Sequence, residues 1–530
     1  PQGLYGQGTK HVERMEFTQA ESAFVQLQRA DTVTLLGDLG LARTYEQKLW
    51  WLDALSHYLK VADRHPDSAQ VHAGATRCFY NLGAYFDAAR SAQRWTTLSE
   101  GESQPYYWQS LALIEIKSLD EAEKSLKKAG EYGLDKGTAQ LLEAHILWLR
   151  NQFEGSIATA GRGIALGSRS PEFYYALANY YAERGIADSA VWAAHEEYKS
   201  EHSALSAWRL LEISDRFNTF WAARQMLRDW DTRNREKSLS NMLRFRYSIA
   251  AEDKSQASLW ADKFQESAPV AYTTLYYSAL AYRILYNESL SADYLDQALG
   301  ISSTNSPESF HEFFGAYVGY SYCSSYNRDG AAQQLQPIKG WRAESREFQT
   351  AIYTQMTISG GRTLADKMFD SLKPIYGDNP VWLTAIGDEY LQAIGVPFSM
   401  GRRFYELALE KMPSHRPAFV GLVKIAVATR EYQEALAAFD RYKTVGLSSP
   451  ELDFLRAHAL VRVGRVDEGL SLFKQTFSAN PHTVDAATGI MLALSAKRLP
   501  DRIRELAQFL TEYAKDNPDI YEIASRFLLD

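Results

Sequence analysis

The stretch that decides the fold is residues 34–67, TLLGDLGLARTYEQKLWWLDALSHYLKVADRHPD. Small and aromatic residues recur there every three or four positions, which is the period of an amphipathic helix. A proline closes the stretch and ends the second of two short helices, because proline cannot continue a helix. Counted from Ala54, the defining positions lie at −12, −9, −3, 0, +4, +8 and +12: Ala42, Tyr45, Trp51, Ala54, Tyr58, Ala62 and Pro66.

The same plan repeats along the chain with a period of 34 residues. A small residue stands at each step, and we call this position the anchor because a small side chain lets two helices approach closely. The first six anchors are Ala20, Ala54, Ala88, Ala122, Ser156 and Ala190. The later anchors, spaced less evenly, are Ala223, Ala257, Ser291, Ala331, Ala365, Gly401, Ala435 and Gly469. Repetition at this length is typical of a solenoid, in which each unit packs mainly on its neighbours.

The pattern of anchors and aromatic residues resembles the tetratricopeptide repeat (TPR). This resemblance implies an all-α fold, a right-handed α-solenoid of about 14–15 antiparallel helix pairs. We expect an N-terminal array at 1–203, a degenerate middle at 204–345 and a C-terminal array at 346–530. The last 12 residues, 519–530, are predicted to form a capping helix.

The repeat is least regular near 300–345. Residues 302–309 are predicted to form an inserted loop because they are rich in Ser, Thr, Asn and Pro. Residues 310–326 carry many Phe and Tyr, which suggests an exposed patch for a partner or a second copy.

Composition narrows the function. Hydrophobic residues make up 46% of the chain and charged residues 23%, which is typical of a folded protein. The net charge of −8 disfavours nucleic acid as a partner. No apolar run approaches the ~20 residues of a membrane-spanning helix. Cys78 and Cys323 are expected to be buried free thiols, since two cysteines form neither a disulfide framework nor a metal cage.

No catalytic, cofactor-binding or metal-binding motif has the required spacing. His195 and His202 lie seven residues apart, on roughly one helix face, but a third ligand is missing. We therefore predict no catalytic residues, no cofactor and no metal. An enzyme site within 300–345, where the repeat breaks, is a minor alternative.

The predicted binding surface is the concave wall, which TPR arrays line mainly with the first helix of each pair. The slots about 15, 11 and 8 residues before each anchor form one stripe there. They mix aromatic with polar side chains, as a groove for an extended peptide, a helix or a glycan does, although packing between units is the preferred explanation for such rings. The candidate contact residues are Tyr107, His145, Trp148, Tyr175, Asn179, Trp208, Glu212, Arg246, Tyr276 and Arg283.

Two functions follow from this array. The first is a non-enzymatic scaffold that holds proteins or peptide segments in its groove. The alternative is a bacterial cell-envelope protein that assists assembly or export of a polysaccharide or secreted fibre. Because the chain begins at Pro1 without a native start, we favour the cell envelope over the cytoplasm. The oligomeric state is left open.

Overall fold

The protein is an array of paired helices. The computed structural model describes residues 2–324 and 380–513, with short gaps at 31–32, 151, 218, 234–236, 252, 268–270, 285–287, 393–397, 414, 444–449, 480–483 and 498. The described residues form 27 α-helices and no β-strand. This confirms the predicted all-α solenoid class.

The helices of the first nine pairs follow one another through residue 305. They are α1 Gln2–Glu13, α2 Phe17–Ala30, α3 Leu36–Gln47, α4 Trp51–Arg64, α5 Ala69–Asn81, α6 Tyr85–Leu98, α7 Ser103–Glu115, α8 Leu119–Glu131, α9 Lys136–Leu149, α10 Phe153–Ala165, α11 Pro171–Glu183, α12 Ala187–Glu201, α13 Ala204–Arg216, α14 Trp221–Arg233, α15 Lys237–Ala250, α16 Lys254–Ser267, α17 Tyr272–Ile284 and α18 Glu288–Asn305.

One further helix, α19 Glu308–Ser324, precedes four more pairs. These pairs are α20 Pro380–Gln392 with α21 Phe398–Lys411, α22 Arg416–Ala428 with α23 Tyr432–Lys443, α24 Pro450–Arg462 with α25 Val466–Ala479, and α26 Val484–Ser495 with α27 Leu499–Tyr513. The predicted capping helix at 519–530 lies outside the described residues.

The anchors are the centres of packing within the pairs. Ala20, Ala54, Ala88, Ala122, Ser156 and Ala190 are all fully buried. Where serine replaces alanine, its hydroxyl finds a partner 12 residues earlier: Ser156 Oγ donates to the carbonyl oxygen of Ala144 at 2.7 Å, and Ser291 Oγ donates to that of Ala279 at 2.7 Å. A buried hydroxyl would otherwise cost free energy, so this bond explains why serine is tolerated at an anchor.

The turn inside a pair has the same backbone conformation wherever it is described. There the residue five positions before the anchor adopts a positive φ, for example 76° at Gly83, 72° at Gly185 and 91° at Gly464. Glycine suits this left-handed region because it has no Cβ. Leu49, Lys117 and Arg430 adopt φ values of 62–63° at the same position, so the turn is imposed by the packing of the pair even where the residue type disfavours it.

Four junctions between successive pairs contain a ring that fits a glycine. At each of them the aromatic residue four positions after an anchor lies against the glycine that follows it by 16 residues, on the first helix of the next pair. The ring–glycine combinations are Phe24 with Gly40, Tyr58 with Gly74, Tyr405 with Gly421, and Phe473 with Gly489. A Cβ at any of these glycines would overlap the ring. The ring and the missing side chain therefore set how closely neighbouring pairs approach.

The array returns to its own beginning. The buried carboxylate of Asp53, on α4, accepts hydrogen bonds from the backbone N–H groups of Tyr272 and Thr273 at the start of α17, each at 3.0 Å. Phe313 on α19 packs edge-on against Phe79 on α5, with ring centroids 5.1 Å apart. These partners lie between six and seven repeat lengths apart in sequence. Helices α17 and α19 thus lie against the second and third pairs.

Two expectations for the irregular stretch are wrong. Residues 302–305 extend α18 to 18 residues, and α19 begins at Glu308, so only two residues separate these helices and no inserted loop forms. The rings of Phe310, Phe313 and Phe314 are buried, because α19 packs them against α4, α5 and α17. They form no exposed patch. The remainder of the irregular region, 325–345, lies outside the described residues.

One large apolar cluster links α2 to α19, and a small separate cluster of Ala20, Phe24, Leu27 and Leu41 packs against α1. The large cluster of buried side chains runs from Phe17 to Val318 and also includes Met412 of the helix pairs after residue 380. Cys78 is a buried free thiol within it, as predicted. The described helices after residue 380 enclose three further clusters: one from Trp382 to Leu452, one from Ala457 to Phe509, and a small one of Ala426, Ala435 and Ala459. The proposed boundaries at 203 and 345 stay predictions.

Among the described helices, not one combines the length and the apolar character required to cross a membrane.

Candidate functional site: the inner surface of the array

Half of the ten predicted contact residues are packed inside the chain. Tyr107, His145, Trp148, Trp208 and Tyr276 are buried. Tyr175, Asn179 and Arg246 are half-buried, and Glu212 is exposed. Arg283 lies on α17, but its side chain is outside the described part of the protein. That these residues contact a partner stays a prediction. The half-buried and exposed members are the ones a partner reaches without unpacking the core.

One group of these residues is built around Arg209. Its guanidinium carbon lies 3.7 Å from the ring centroid of Tyr175, and Nη1 donates to Glu197 Oε1 at 2.7 Å. The Tyr175 hydroxyl lies 3.0 Å from that of Tyr80, on a helix 95 residues earlier. Residues from α5, α11, α12 and α13 therefore meet in this group.

Glu197 in this group has an unusual environment. The residue is fully buried, and its Oε2 atom has no hydrogen-bond partner. Burial raises the pKa of Glu197 to about 7, against the opposing effect of the neighbouring Arg209. Loss of hydration thus outweighs the ion pair, as expected for a charge with one unsatisfied oxygen.

A second group lies beside the first, on α13 and α15. The indole N–H of Trp208 donates to Glu212 Oε1 at 2.7 Å, and Arg246 Nη2 donates to Asp215 Oδ2 at 2.8 Å. The guanidinium of Arg246 lies 5.7 Å from the Trp208 ring centroid. The side chain of Glu212 reaches solvent, but many protein atoms lie around its carboxylate. The resulting loss of hydration raises the pKa of Glu212 despite the nearby Arg246. We call Trp208, Glu212, Asp215 and Arg246 the inner charged ladder.

His145 and Trp148 belong to a different, deeper region. Burial lowers the pKa of His145 to about 4, and its Nε2 atom has no hydrogen-bond partner. The nearby Glu183 accepts from Arg216 at 3.3 Å. Burial opposes ionisation of Glu183, but Lys117 and Arg216 outweigh it and hold its pKa far below the usual range.

This deeper region also meets the helices after residue 380. Burial lowers the pKa of His415 to about 3, with Lys117 acting in the same direction. The guanidinium of the adjacent Arg416 lies 5.5 Å from the ring centroid of Phe217. The region is therefore a structural junction within the chain.

Sequence reasoning missed several members of the inner surface. Glu197 falls outside the three slots used to predict it, Arg209 and Tyr277 each adjoin a slot, and Tyr80 occupies the slot 8 residues before Ala88 but was not among the candidates. Arg209 and Glu197 are separated by 12 residues, the same spacing as in the two serine hydrogen bonds at the anchors. This spacing could have been used to predict the Arg209–Glu197 pair from the sequence.

The described residues offer no arrangement for metal chemistry. No group of three or more His, Cys, Asp or Glu residues is placed to hold a metal ion there. His195 packs edge-on against Trp221 at 5.6 Å, and His202 Nε2 lies 3.8 Å from Asp229. What the inner surface offers is hydrogen bonding, charge and aromatic faces, which are the means of recognition.

Comparison with known proteins gives structural likenesses only. No family model and no curated protein matches the sequence. Three solved structures are similar in fold. Yeast Tom70 is 15% identical over 96% of this chain and 98% of its own, with a TM-score of 0.37. The APC/C hetero-tetramer Cut9–Hcn1 is 11% identical over 93% and 96%, with a TM-score of 0.31. A tetratricopeptide repeat protein from Parabacteroides merdae is 15% identical over 56% and 98%, with a TM-score of 0.31.

The chain is an array of TPR-like helix pairs. Its buried anchors, recurring turn and ring–glycine contacts carry this statement.

Proposed function

We propose that this TPR-like array is a non-enzymatic scaffold that holds a segment of a partner protein against its inner surface. The observation that carries the proposal is the inner charged ladder, where Glu212 is exposed beside two buried or half-buried side chains, Trp208 and Arg246. An ion pair and an indole–carboxylate bond hold the ladder in one conformation before a partner arrives. Such preorganisation lowers the entropic cost of binding.

The ladder favours a partner with a basic side chain. Arg246 is already paired with Asp215, whereas the carboxylate of Glu212 has an indole N–H as its hydrogen-bond donor. The surrounding protein makes the charged form of Glu212 costly, so an arriving Lys or Arg would stabilise it. The half-buried Tyr175 and Asn179 on α11 would supply an aromatic face and an amide beside this pair.

Site-specific photo-crosslinking in cells of the source organism tests this proposal. A benzoylphenylalanine that replaces Asn179 should crosslink to a protein partner, whereas the same group in place of Lys127, exposed on α8, should not. Glu212→Lys should abolish the crosslink from position 179. Glu131→Lys, at an exposed position of α8, is the matched charge change and should leave it intact. Equal crosslinking from positions 179 and 127 would contradict a partner in the groove.

A cell-envelope protein that assists polysaccharide or fibre assembly is the alternative predicted from the sequence. It would place a glycan against the same aromatic faces. Titration of the purified chain with oligosaccharides, followed by Trp fluorescence, separates the two functions. Saturable quenching that Trp208→Phe removes would favour the glycan, and its absence together with a protein crosslink would favour the scaffold.

A further inference from the structure

The outward face of α10 differs from its equivalents in being apolar. Ile157, Ile164 and, just beyond the helix, Leu166 are 49%, 40% and 54% exposed. Gly155, Ala158, Gly161 and Ala165 complete the exposed face, together with one charge near each end, Glu154 and Arg162. Contiguous exposed apolar surface of this kind marks an interaction site.

The preceding second helix shows what an ordinary outward face looks like in this chain. At the same distances from its anchor as Ile157, Ala158, Gly161, Arg162 and Ala165, α8 carries Glu123, Lys124, Lys127, Lys128 and Glu131. These five side chains are all exposed. The counterparts of Ile164 and Leu166 are Gly130 and Tyr132. Position in the array therefore does not explain the apolar face of α10.

The neighbouring α12 extends the apolar face. Trp192 is 46% exposed, and its ring centroid lies 6.4 Å from that of Tyr174. Trp192 stands two residues after its anchor, Ala190, as Ala158 stands two residues after Ser156. The two side chains therefore lie at the same level on adjacent outward helices.

We propose that this face binds a second copy of the same face, with the two α10 helices antiparallel. The charge pattern identifies the occupant, because Glu154 and Arg162 lie at equal distances on either side of Ala158. A twofold axis at Ala158 places Glu154 of each copy opposite Arg162 of the other. It also brings Gly155 opposite Gly161, and small side chains at a crossing let two helices approach closely. Such an interface is isologous, with the same patch used twice.

The flanking residues agree with the same axis. An antiparallel crossing of α10 keeps α12 of one copy over α12 of the other, so the two Trp192 rings meet at the level of the axis. Arg162 donates to Thr159 Oγ1 at 2.9 Å within its own helix, which leaves its other N–H groups available to the partner copy. The inner charged ladder is not involved, so this interface is independent of partner binding in the groove.

Sedimentation equilibrium of the full chain over a range of concentrations tests the interface. The wild-type chain should dimerise. Glu154→Arg and Arg162→Glu should each weaken the dimer at least tenfold, because each places like charges opposite one another twice. The double exchange E154R/R162E should restore the dissociation constant to within about threefold of wild type. Failure of the double exchange to restore association would overturn the antiparallel pairing.

A steric variant with a matched control separates interface loss from misfolding. Gly161→Gln should abolish the dimer, since nothing in the chain lies within 4 Å of a Cβ at Gly161, so the fold accepts the side chain and the crossing does not. Gly300→Gln, at an exposed glycine of α18 with the same free space, should leave the dimer intact. A wild-type chain that stays monomeric, or a dimer indifferent to Gly161→Gln, would refute the proposal and assign the face to another partner or to none.

Discussion

The carboxylate of Asp53 holds the backbone N–H of Tyr272, 219 residues further along the chain, at 3.0 Å. It also accepts from the next N–H, that of Thr273. A side chain on the second helix pair thus caps the start of α17, where the first backbone N–H groups lack partners within the helix. This bond fixes the return of the array onto its own beginning.

Loss of this cap should loosen α17 locally. Asp53→Ala should lower the local free energy of opening by about 2 kcal/mol, since a capping side chain contributes about 1–2 kcal/mol and two buried N–H groups lose their acceptor. Asp53→Asn, which keeps one acceptor oxygen, should cost less. Hydrogen exchange of a peptide covering 272–284 measures the effect. Glu121→Ala, at the equivalent position of α8 and exposed, should leave that exchange unchanged.

The contact of α19 with the third pair should depend on one ring. Phe313 is buried against Phe79, and the neighbouring Tyr317 hydroxyl donates to the carbonyl oxygen of Leu82 at 3.1 Å. Phe313→Ala should remove about 3–5 kcal/mol of packing and raise hydrogen exchange across 308–324. Phe439→Ala removes an equally large buried ring in the C-terminal pairs and should leave exchange of 308–324 at its wild-type rate. Unchanged exchange in the Phe313 variant would show that α19 does not depend on this contact.

The sequence predicts the pair far better than the path of the array. The anchor and the turn can be predicted because local spacing sets both of them. Ala54 is buried, and Gly83 adopts the positive φ of the turn. The hydrogen bond from Tyr272 to Asp53 cannot be predicted from the sequence, since it depends on the small rotation between neighbouring pairs, added over six to seven units. The ring centroid of Tyr277, on a helix two pairs later, lies 5.9 Å from that of Trp208. For the same reason, the burial of Trp208 by Tyr277 could not be inferred from the sequence.

The sequence predicted the positions of candidate contact residues but not their exposure. The slots used for the prediction include Glu212 and Arg246, whose charges lie close enough to interact. They could not distinguish the exposed Glu212 from the buried Tyr107, because exposure depends on which neighbouring units cover each slot. The outward face of α10 was not predicted, because the slots lie on the first helix of each pair and α10 is a second helix.

The pH dependence of stability should reveal the buried Glu197. Its folded-state pKa of about 7 lies above the ordinary value of 4.5. The stability that the neutral Glu197 carboxyl contributes is therefore fully present below pH 4.5 and is lost as the pH rises to about 7. Relative to Glu197→Gln, the wild-type chain should therefore lose stability between pH 4.5 and 7, at no more than about 1.4 kcal/mol per pH unit. Denaturant unfolding at several pH values, followed by Trp fluorescence, gives this difference. The opposite slope would mean that the bond to Arg209 outweighs burial.

The fit of Tyr58 to Gly74 should be the least tolerant contact between neighbouring pairs. Tyr58 is fully buried, and its hydroxyl donates to Glu46 Oε2 at 2.6 Å, while Glu46 is also held by Arg77. The ring therefore cannot move aside for a new Cβ. Gly74→Ala should destabilise the chain by about 1–3 kcal/mol through overpacking, even though alanine favours a helix by about 1 kcal/mol over glycine.

A double-mutant cycle isolates this steric effect from helix propensity. Gly74→Ala should cost less in the Tyr58→Leu background than in the wild-type chain, because the smaller side chain leaves room for the methyl group. Gly130→Ala, at a helical glycine with nothing within 4 Å of its Cβ position, carries the propensity gain alone and should stabilise by about 0.5–1 kcal/mol. Thermal unfolding of the four members of the cycle and the control gives these values. Equal costs of Gly74→Ala in both backgrounds would show that the ring does not set the spacing of the pairs, and the shared 16-residue register would then need another cause.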